Sequence, residues 1–154
     1  RVKYYHDVVG CNSRLDTIQA AILDIKLKKL DEYIAARQKV AAYYNKAFAG
    51  HPNITTPSVA PFTTHVFHQY TLVLDGADRD GLHNFLAAAN VPSMIYYPVP
   101  AHRQKMFASF GGDAYHLPVT DWLTERVISL PVHTEMEDEQ LALITTKVLE
   151  FFKH

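Results

Sequence analysis

The chain has 154 residues, of which 48% are hydrophobic and 20% are charged, and its formal net charge is −1. This length suits one domain with a real core, and the balance of residue types argues against disorder. No cluster of Lys and Arg is dense enough to predict a groove for a phosphate backbone, so we expect no nucleic-acid partner.

The first predicted element is one continuous helix from Leu15 to about Phe48. Apolar residues recur at steps of three and four, the spacing of one helical face. The main stripe comprises Leu23, Leu27, Leu30, Ile34, Ala41, Tyr44 and Phe48. A second stripe, on another face of the first turns, comprises Leu15, Ile18, Ile22 and Ile25. One interpretation is a central helix of this domain, but two apolar faces favour a helix that also packs against something outside this chain.

Small and polar residues mark both ends of this helix. Ser13 is the predicted N-cap, with Asp16 placed to support it. Gly50 and Pro52 are predicted to close the segment.

Three strands are predicted after a loop punctuated by prolines. Alternation and β-forming residues place them over residues 68–74, 91–97 and 127–130. Pro98 and Pro100 are expected to stop the second strand.

Three shorter helices are predicted between and after these strands. Asp78 is the expected N-cap of the first, Asn90 its left-handed end, and Pro118 the start of the second. The last is predicted to open with a capping box, Thr134-Glu135-Met136-Glu137. Its buried side is predicted to comprise Leu141, Ile144, Val148 and Phe151. The predicted class is therefore α+β, with a long N-terminal helix and a small, mostly antiparallel sheet covered by helices.

The residue types also bear on where the protein works. The single cysteine, Cys11, excludes an internal disulfide and favours a reducing compartment. No apolar run reaches the roughly 20 residues that span a bilayer, so we expect no membrane partner. The chain begins with Arg1 and has no signal-peptide pattern. We therefore expect part of a longer, cytoplasmic protein.

Nine histidines raise the question of a metal site. His65 and His68 are three residues apart, where a loop is predicted to enter a strand, and that spacing does not converge on one ion. No cysteine pair or acidic partner completes a ligand set, so we predict no metal site. The sequence also lacks the nucleophile elbow of hydrolases and the common glycine-rich phosphate loops.

The first candidate site is the turn Gly10-Cys11-Asn12-Ser13-Arg14, just before the long helix. A helix N-terminus offers unpaired N–H groups and a partial positive charge, so Asn12 and Arg14 could help to hold a phosphate there. The alternative is that Asn12 and Ser13 only cap the helix while Arg14 makes a surface ion pair.

The second candidate site is a stiff segment after the second predicted strand. Its sequence is Tyr96-Tyr97-Pro98-Val99-Pro100-Ala101-His102. Two prolines hold it extended, so that two phenols and an imidazole are presented as a ligand platform. The alternative is that the two tyrosines are half-buried strand residues.

Several blocks of the sequence also occur in an order that is typical of one family. The early blocks are His6, Gly10-Cys11-Asn12-Ser13-Arg14-Leu15-Asp16-Thr17-Ile18-Gln19-Ala20-Ala21, Lys26-Leu27, Leu30 and Arg37. The later blocks are Gln69-Tyr70, Tyr97-Pro98-Val99-Pro100 with His102 and Gln104, and Ser129-Leu130-Pro131-Val132-His133. Over nearly the whole chain these blocks resemble the DegT/DnrJ/EryC1/StrS group of sugar aminotransferases, which use pyridoxal 5'-phosphate.

The resemblance implies the aspartate-aminotransferase fold, with a large cofactor-binding domain and a small C-terminal domain. Residues 1–14 would end the large domain, residues 15–50 would form the connecting helix, and residues 51–154 would form the small domain. The family forms homodimers with active sites at the subunit interface. Asn12 would therefore reach the cofactor phosphate of the partner subunit, and Arg14 would lie near the same site.

The resemblance also indicates which residues face the substrate and which cofactor-binding residues are expected outside this sequence. Tyr97 and His102 resemble small-domain residues that face the nucleotide-sugar pocket, whereas Tyr96 departs from the pattern, since many members have His there. The lysine that carries the cofactor, the carboxylate that pairs with its ring nitrogen and the aromatic residue that stacks on its ring are expected before Arg1.

The function implied for the intact protein is transfer of an amino group from glutamate to a keto group of a nucleotide-linked sugar, for cell-surface polysaccharide biosynthesis. The 154 residues alone are expected to be inactive and to hold no cofactor. A regulatory or assembly module of the same fold is one alternative, and an unrelated α+β ligand-binding domain is another. We also expect an exposed apolar face over Leu15 to Ile25 and a tendency to self-associate.

Overall fold

A computed structural model describes residues 3–11 and 14–153. Within these ranges the α-helices are α1 (Thr17–Leu27), α2 (Leu30–Ala47), α3 (Arg79–Ala88), α4 (Pro118–Thr124) and α5 (Asp138–Phe151). The strands are β1 (Ile54–Thr55), β2 (Tyr70–Leu74) and β3 (Val127–Leu130). Between α3 and α4 lie three short 3-10 turns: Ala101–Arg103, Lys105–Phe110 and Gly112–Ala114.

The three strands form one antiparallel sheet with β2 in the middle. Leu74 of β2 lies opposite Ile54 of β1, and Tyr70 lies opposite Leu130 of β3. On β2 the buried residues alternate with partly exposed ones, which is the period of a strand with one covered face. The predicted α+β class with an antiparallel sheet is confirmed, although β1 was not predicted.

The apolar core lies between this sheet and helices α2, α3 and α5. Its fully buried members include Tyr44, Phe48, Tyr70, Leu72, Leu74, Leu82, Leu86, Ile128, Leu141 and Val148. Two of its phenols are hydrogen-bonded: Tyr44 donates to the Pro131 carbonyl at 2.9 Å and Tyr70 to Asn45 Oδ1 at 2.6 Å. Burial raises the pKa of both phenols far above the ordinary value, so both remain neutral inside the core.

The long helix that was predicted to be continuous is two helices. α1 ends at Leu27 and α2 begins at Leu30, with a turn at Lys28 and Lys29 between them. In that turn the Lys29 N–H donates to the Lys26 carbonyl at 3.0 Å. This bond spans three residues instead of the four of an α-helix, so the turn is tighter than a helical one. Periodicity missed the break because the step of three from Leu27 to Leu30 suits a continuous helix and a short turn equally well.

The second apolar stripe lies on the surface. Leu15, Ile18, Ile22 and Ile25 are between 52% and 76% exposed, and α1 has no buried residue. The expected exposed apolar face is therefore confirmed. No helix among the described residues has both the length and the apolarity to cross a membrane.

The predicted strand over residues 91–97 is wrong. Within the described chain this segment makes a single bridge to the sheet, in which Met94 and Ser129 exchange hydrogen bonds of 3.0 and 2.7 Å. Pro92 has no N–H to donate to a ladder, and Pro98 restricts the residue before it. Prolines on both sides therefore prevent the pairing from extending.

The caps of the helices were predicted with mixed success. Asp78 accepts the Gly81 N–H at 2.9 Å at the start of α3, and Asn90 is left-handed with φ 58°, as predicted. Ser13 lies outside the described residues, and the N-cap position of α1 belongs to Asp16, whose side chain makes no capping bond.

The capping box of the last helix lies three residues later than predicted. α5 begins at Asp138, and Glu137 and Gln140 form the reciprocal bonds of the box, with Glu137 N–H donating to Gln140 Oε1 at 3.0 Å. Thr134 instead donates to the neighbouring Glu135, whose N–H donates to His133 Nδ1 at 3.2 Å. These local bonds form a separate turn before the helix.

Candidate functional site

Three tyrosines form an aromatic cluster beside the proline-stiffened segment. The ring of Tyr4 meets Tyr96 and Tyr97 edge to face, with centroids 5.6 and 5.4 Å away. Lys3 places its ammonium 5.0 Å from the centre of the Tyr4 ring, a cation–π contact. Tyr97 is still 56% exposed, so its ring and hydroxyl can meet a ligand.

Tyr96 is the more sheltered of the two neighbouring phenols. Its burial raises the pKa above the ordinary value of a tyrosine, and a hydrogen bond with Tyr4 acts in the same direction. Lys3 opposes this shift because its positive charge favours the ionised phenol. Tyr96 is therefore a neutral hydrogen-bonding group at physiological pH.

A cavity of about 310 Å³ opens next to the cluster. Its lining includes Tyr97 and Pro100 and, from α4, Thr120 and Thr124. This volume is at the small end of ligand pockets, and most of the residues that line it are apolar or aromatic. The cavity therefore offers an aromatic and apolar surface on which a ring could stack.

His102 is not among the residues that line this cavity. Its side chain is only 9% exposed, and its Nε2 lies 3.6 Å from Asp121 Oδ1. Arg103 donates to the other oxygen of Asp121 at 2.7 Å, so this carboxylate ties α4 to the first 3-10 turn. Gly112 packs so closely on the His102 carbonyl that a side chain would collide with it. The predicted contact of His102 with a substrate stays a prediction.

The described residues of the turn before α1, Gly10, Cys11 and Arg14, are exposed. Arg14 is on the surface, while Asn12 lies with Ser13 outside the described residues. The side chain of Asp16 makes no capping bond, and the first N–H groups of a helix have no partner within the helix. An arginine beside such an N-terminus is suited to an anion.

A larger groove, of about 880 Å³, lies along the turn between α1 and α2. Leu23, Leu27 and Leu30 supply much of its apolar wall, and Arg37 lies at its polar end. One guanidinium nitrogen of Arg37 donates to the carbonyls of Phe67, His68 and Val132 at 3.3, 3.1 and 3.3 Å. Arg37 therefore joins α2 to two loops of the domain.

Metal binding finds no support in the described part of the chain, where no three His, Cys, Asp or Glu side chains are grouped to hold an ion. Sequence reasoning selected Tyr97 but missed Tyr4 as its neighbour. Only the fold brings residues 93 positions apart together, so no local pattern could have indicated the pair.

Comparisons with known proteins give a consistent result. The model of the DegT/DnrJ/EryC1/StrS aminotransferase family matches residues 1–149. The chain is 41% identical to UDP-N-acetyl-3-dehydro-alpha-D-glucosamine 3-aminotransferase of Acidithiobacillus ferrooxidans, over 94% of this chain and 38% of that protein. It is 40% identical to a pleiotropic regulatory protein of Geobacillus stearothermophilus, over 99% of this chain and 41% of that protein.

The fold agrees with these relatives. The crystal structure of DesV from S. venezuelae superimposes with a TM-score of 0.82 at 35% identity, over 100% of this chain and 41% of that one. The chain thus spans about two fifths of the length of the relatives it matches.

Proposed function

Because the chain belongs to the DegT/DnrJ/EryC1/StrS aminotransferase family, we propose that the intact protein transfers an amino group to a keto carbon of a nucleotide-linked sugar. The observation that carries this proposal is the family match over residues 1–149, and the 41% identical aminotransferase supports the sugar substrate. Glutamate is the proposed amino donor, and cell-surface polysaccharide is the proposed destination of the product. The idea of an unrelated ligand-binding domain is wrong, since the family match covers nearly the whole chain.

The family depends on pyridoxal 5'-phosphate. When bound, this group supplies an electron sink that stabilises negative charge at the carbon losing its proton. The described residues fit the phosphate end of the group, because Arg14 is exposed beside the N-terminus of α1.

The described lysines do not fit the covalent attachment of that cofactor. A reactive amine needs a sheltered site that favours its neutral form. Here every described lysine except Lys147 is exposed, and Lys147 donates to Glu150 at 2.7 Å. In our proposal the lysine that carries the cofactor therefore lies outside these 154 residues. The residues of this chain bind and orient the cofactor phosphate and the nucleotide sugar.

In our proposal, one part of the chain binds the cofactor phosphate and another part binds the nucleotide sugar. Asn12 and Arg14 hold the cofactor phosphate of the partner subunit in a homodimer. Tyr97 contacts the nucleotide sugar beside the cavity that it lines, which is supported by its exposed ring. The contact between His102 and Asp121 holds the first 3-10 turn, which follows Pro98 and Pro100, against α4.

The test uses the intact protein with pyridoxal phosphate, glutamate and a panel of UDP- and dTDP-linked keto sugars. We expect equal amounts of 2-oxoglutarate and amino sugar, measured by a coupled assay and by mass spectrometry. Arg14→Ala should weaken cofactor affinity by about tenfold or more, because it removes a charge-assisted contact to phosphate. Lys39→Ala is the matched control, since Lys39 is an exposed cation paired with Asp138 and far from the turn in sequence.

A second candidate is a regulatory or assembly module of the same fold, favoured by the name of the 40% identical relative from G. stearothermophilus. This candidate gains if the intact protein forms neither product with any sugar of the panel. It also gains if the intact protein has no lysine before the turn that carries Asn12.

A further inference from the structure

Gln104 is a buried polar side chain that holds an N-terminal arm, which we define as residues 3–7. Its Oε1 accepts the His6 N–H at 3.0 Å, and its Nε2 donates to the Tyr4 carbonyl at 2.8 Å. The Met106 N–H adds a third bond by donating to the His6 carbonyl at 3.0 Å. Gln104 is 7% exposed, so loss of either bond would leave a buried polar group without a partner. Gln104 is thus a clamp between two segments about 100 positions apart.

Tyr4 needs such a clamp. Its φ is 70°, in the left-handed region that residues other than glycine rarely adopt. Surrounding contacts must therefore hold it in place. Its backbone is bound by Gln104, and its ring lies 5.4 Å from the ring of Tyr97.

We propose that Gln104 is a positioning residue for the substrate site: it fixes Tyr4, and Tyr4 fixes the ring of Tyr97 beside the cavity. The proposal rests on the proposed function for the step in which Tyr97 touches the sugar nucleotide. Gln104 itself faces the arm, since both ends of its amide are bonded to the arm's backbone. Its influence on the substrate passes through Tyr4.

The next residue along the chain offers a matched control. Lys105 Nζ lies 3.1 Å from Asp7 Oδ1, so this ion pair also joins the second 3-10 turn to the arm. Both side chains are well exposed, and pairs of this kind contribute little because water screens them. Lys105→Ala should therefore leave Tyr97 where it is.

The first experiment measures kinetics of the intact protein with Gln104→Leu, Tyr4→Leu, the double variant and Lys105→Ala. We expect Gln104→Leu and Tyr4→Leu each to raise KM for the nucleotide sugar by about tenfold, the size of roughly one lost net interaction, with kcat within about twofold. The double variant should be no worse than either single one, because both act on the same ring. Lys105→Ala should match the wild type. An unchanged KM in Gln104→Leu, or effects that multiply in the double variant, would overturn the proposal.

The second experiment does not depend on turnover. Hydrogen exchange of the His6 N–H should become at least about tenfold faster in Gln104→Leu, while amides of β2 keep their protection and show that the domain is folded. Gln104→Glu keeps the acceptor for His6 and loses the donor to Tyr4, so it should retain protection at His6 and still raise KM.

The ring of Tyr97 gives a third readout, by nuclear magnetic resonance. Its signals should shift in Gln104→Leu and Tyr4→Leu and stay in place in Lys105→Ala. If the wild type transfers no amino group, the proposed function fails, and the exchange and ring measurements still decide on the clamp. Unmoved Tyr97 signals in Gln104→Leu would refute it.

Discussion

Helices α1 and α2 share one apolar pattern but differ in what covers it. Val40, Ala41 and Tyr44 of α2 are buried against the domain. By contrast, no residue of α1 is buried, although Ile18 and Ile25 are as apolar as any residue of the core. The contrast shows that periodicity indicates a helix and its face, but does not show whether the same chain covers that face.

The difference matters energetically. Burying one large aliphatic side chain stabilises a fold by about 1.5–3 kcal/mol, and α1 gains little of this within the described residues. An isolated helix of 11 residues is marginal in water. Contacts within the described residues therefore stabilise α1 little.

The largest expected contrast is between core and α1 truncations. Leu72→Ala in β2 should lower the free energy of unfolding of the 154-residue chain by about 2–5 kcal/mol, because it leaves a cavity at a fully buried position. Ile22→Ala in α1 should change it by less than about 0.5 kcal/mol. Urea unfolding followed by circular dichroism measures both. Equal losses would mean that α1 is covered within this chain.

Alkaline pH should act on the core through its two buried phenols, whereas α1 contains no tyrosine. An unfolded tyrosine ionises near pH 10, whereas burial raises the pKa of Tyr44 and Tyr70 in the fold. The folded state therefore binds more protons above pH 10, so the stabilisation is full below that pH and is lost as the pH rises. The expected slope is about 1.4 kcal/mol per pH unit for each phenol.

Tyr70→Phe is the control for this pH effect. Phenylalanine has no group that ionises. The free energy of unfolding of this variant, measured by urea titration, should therefore fall less steeply between pH 10 and 11.5 than that of the wild type. An identical slope would show that Tyr70 titrates alike in the folded and unfolded states.

The exposed face of α1 should make the 154-residue chain self-associate. Ile18→Glu combined with Ile22→Glu places two charges in the apolar stripe, and the dimer dissociation constant should rise by about tenfold or more, since charged groups are costly to bury. Sedimentation velocity measures this change. Lys28→Glu, on the exposed turn after α1, is the control. A wild-type chain that stays monomeric at high concentration would contradict the expectation.

The smallest expected contrast is between two aspartates at helix starts. Asp78→Ala should destabilise the chain by about 1 kcal/mol, because Asp78 accepts the Gly81 N–H. Asp16→Ala should have almost no effect, since the side chain of Asp16 makes no capping bond. Thermal unfolding of both variants tests the pair, and a larger loss for Asp16→Ala would reverse the assignment.

The candidate site was only partly predictable from sequence. Tyr97 stands out because two prolines stiffen its segment, and Arg14 because it precedes a helix. Tyr4 gave no signal, and Gln104 occurred only in a family block, which did not indicate that it contacts Tyr4 and His6 about 100 residues away. The surroundings of His102 were equally hidden, because Asp121 reaches it from a different helix.

Local chemistry in the sequence determined the features that a few neighbouring residues decide. Asp78 caps α3, Asn90 ends it in the left-handed region, and alternation along residues 70–74 gives a strand with one buried face. Only the tertiary structure decided the break at Lys28 and Lys29 and the clamp on Tyr4. These features depend on competition between distant partners for the same backbone groups and surfaces. A local sequence pattern does not indicate which distant partner wins.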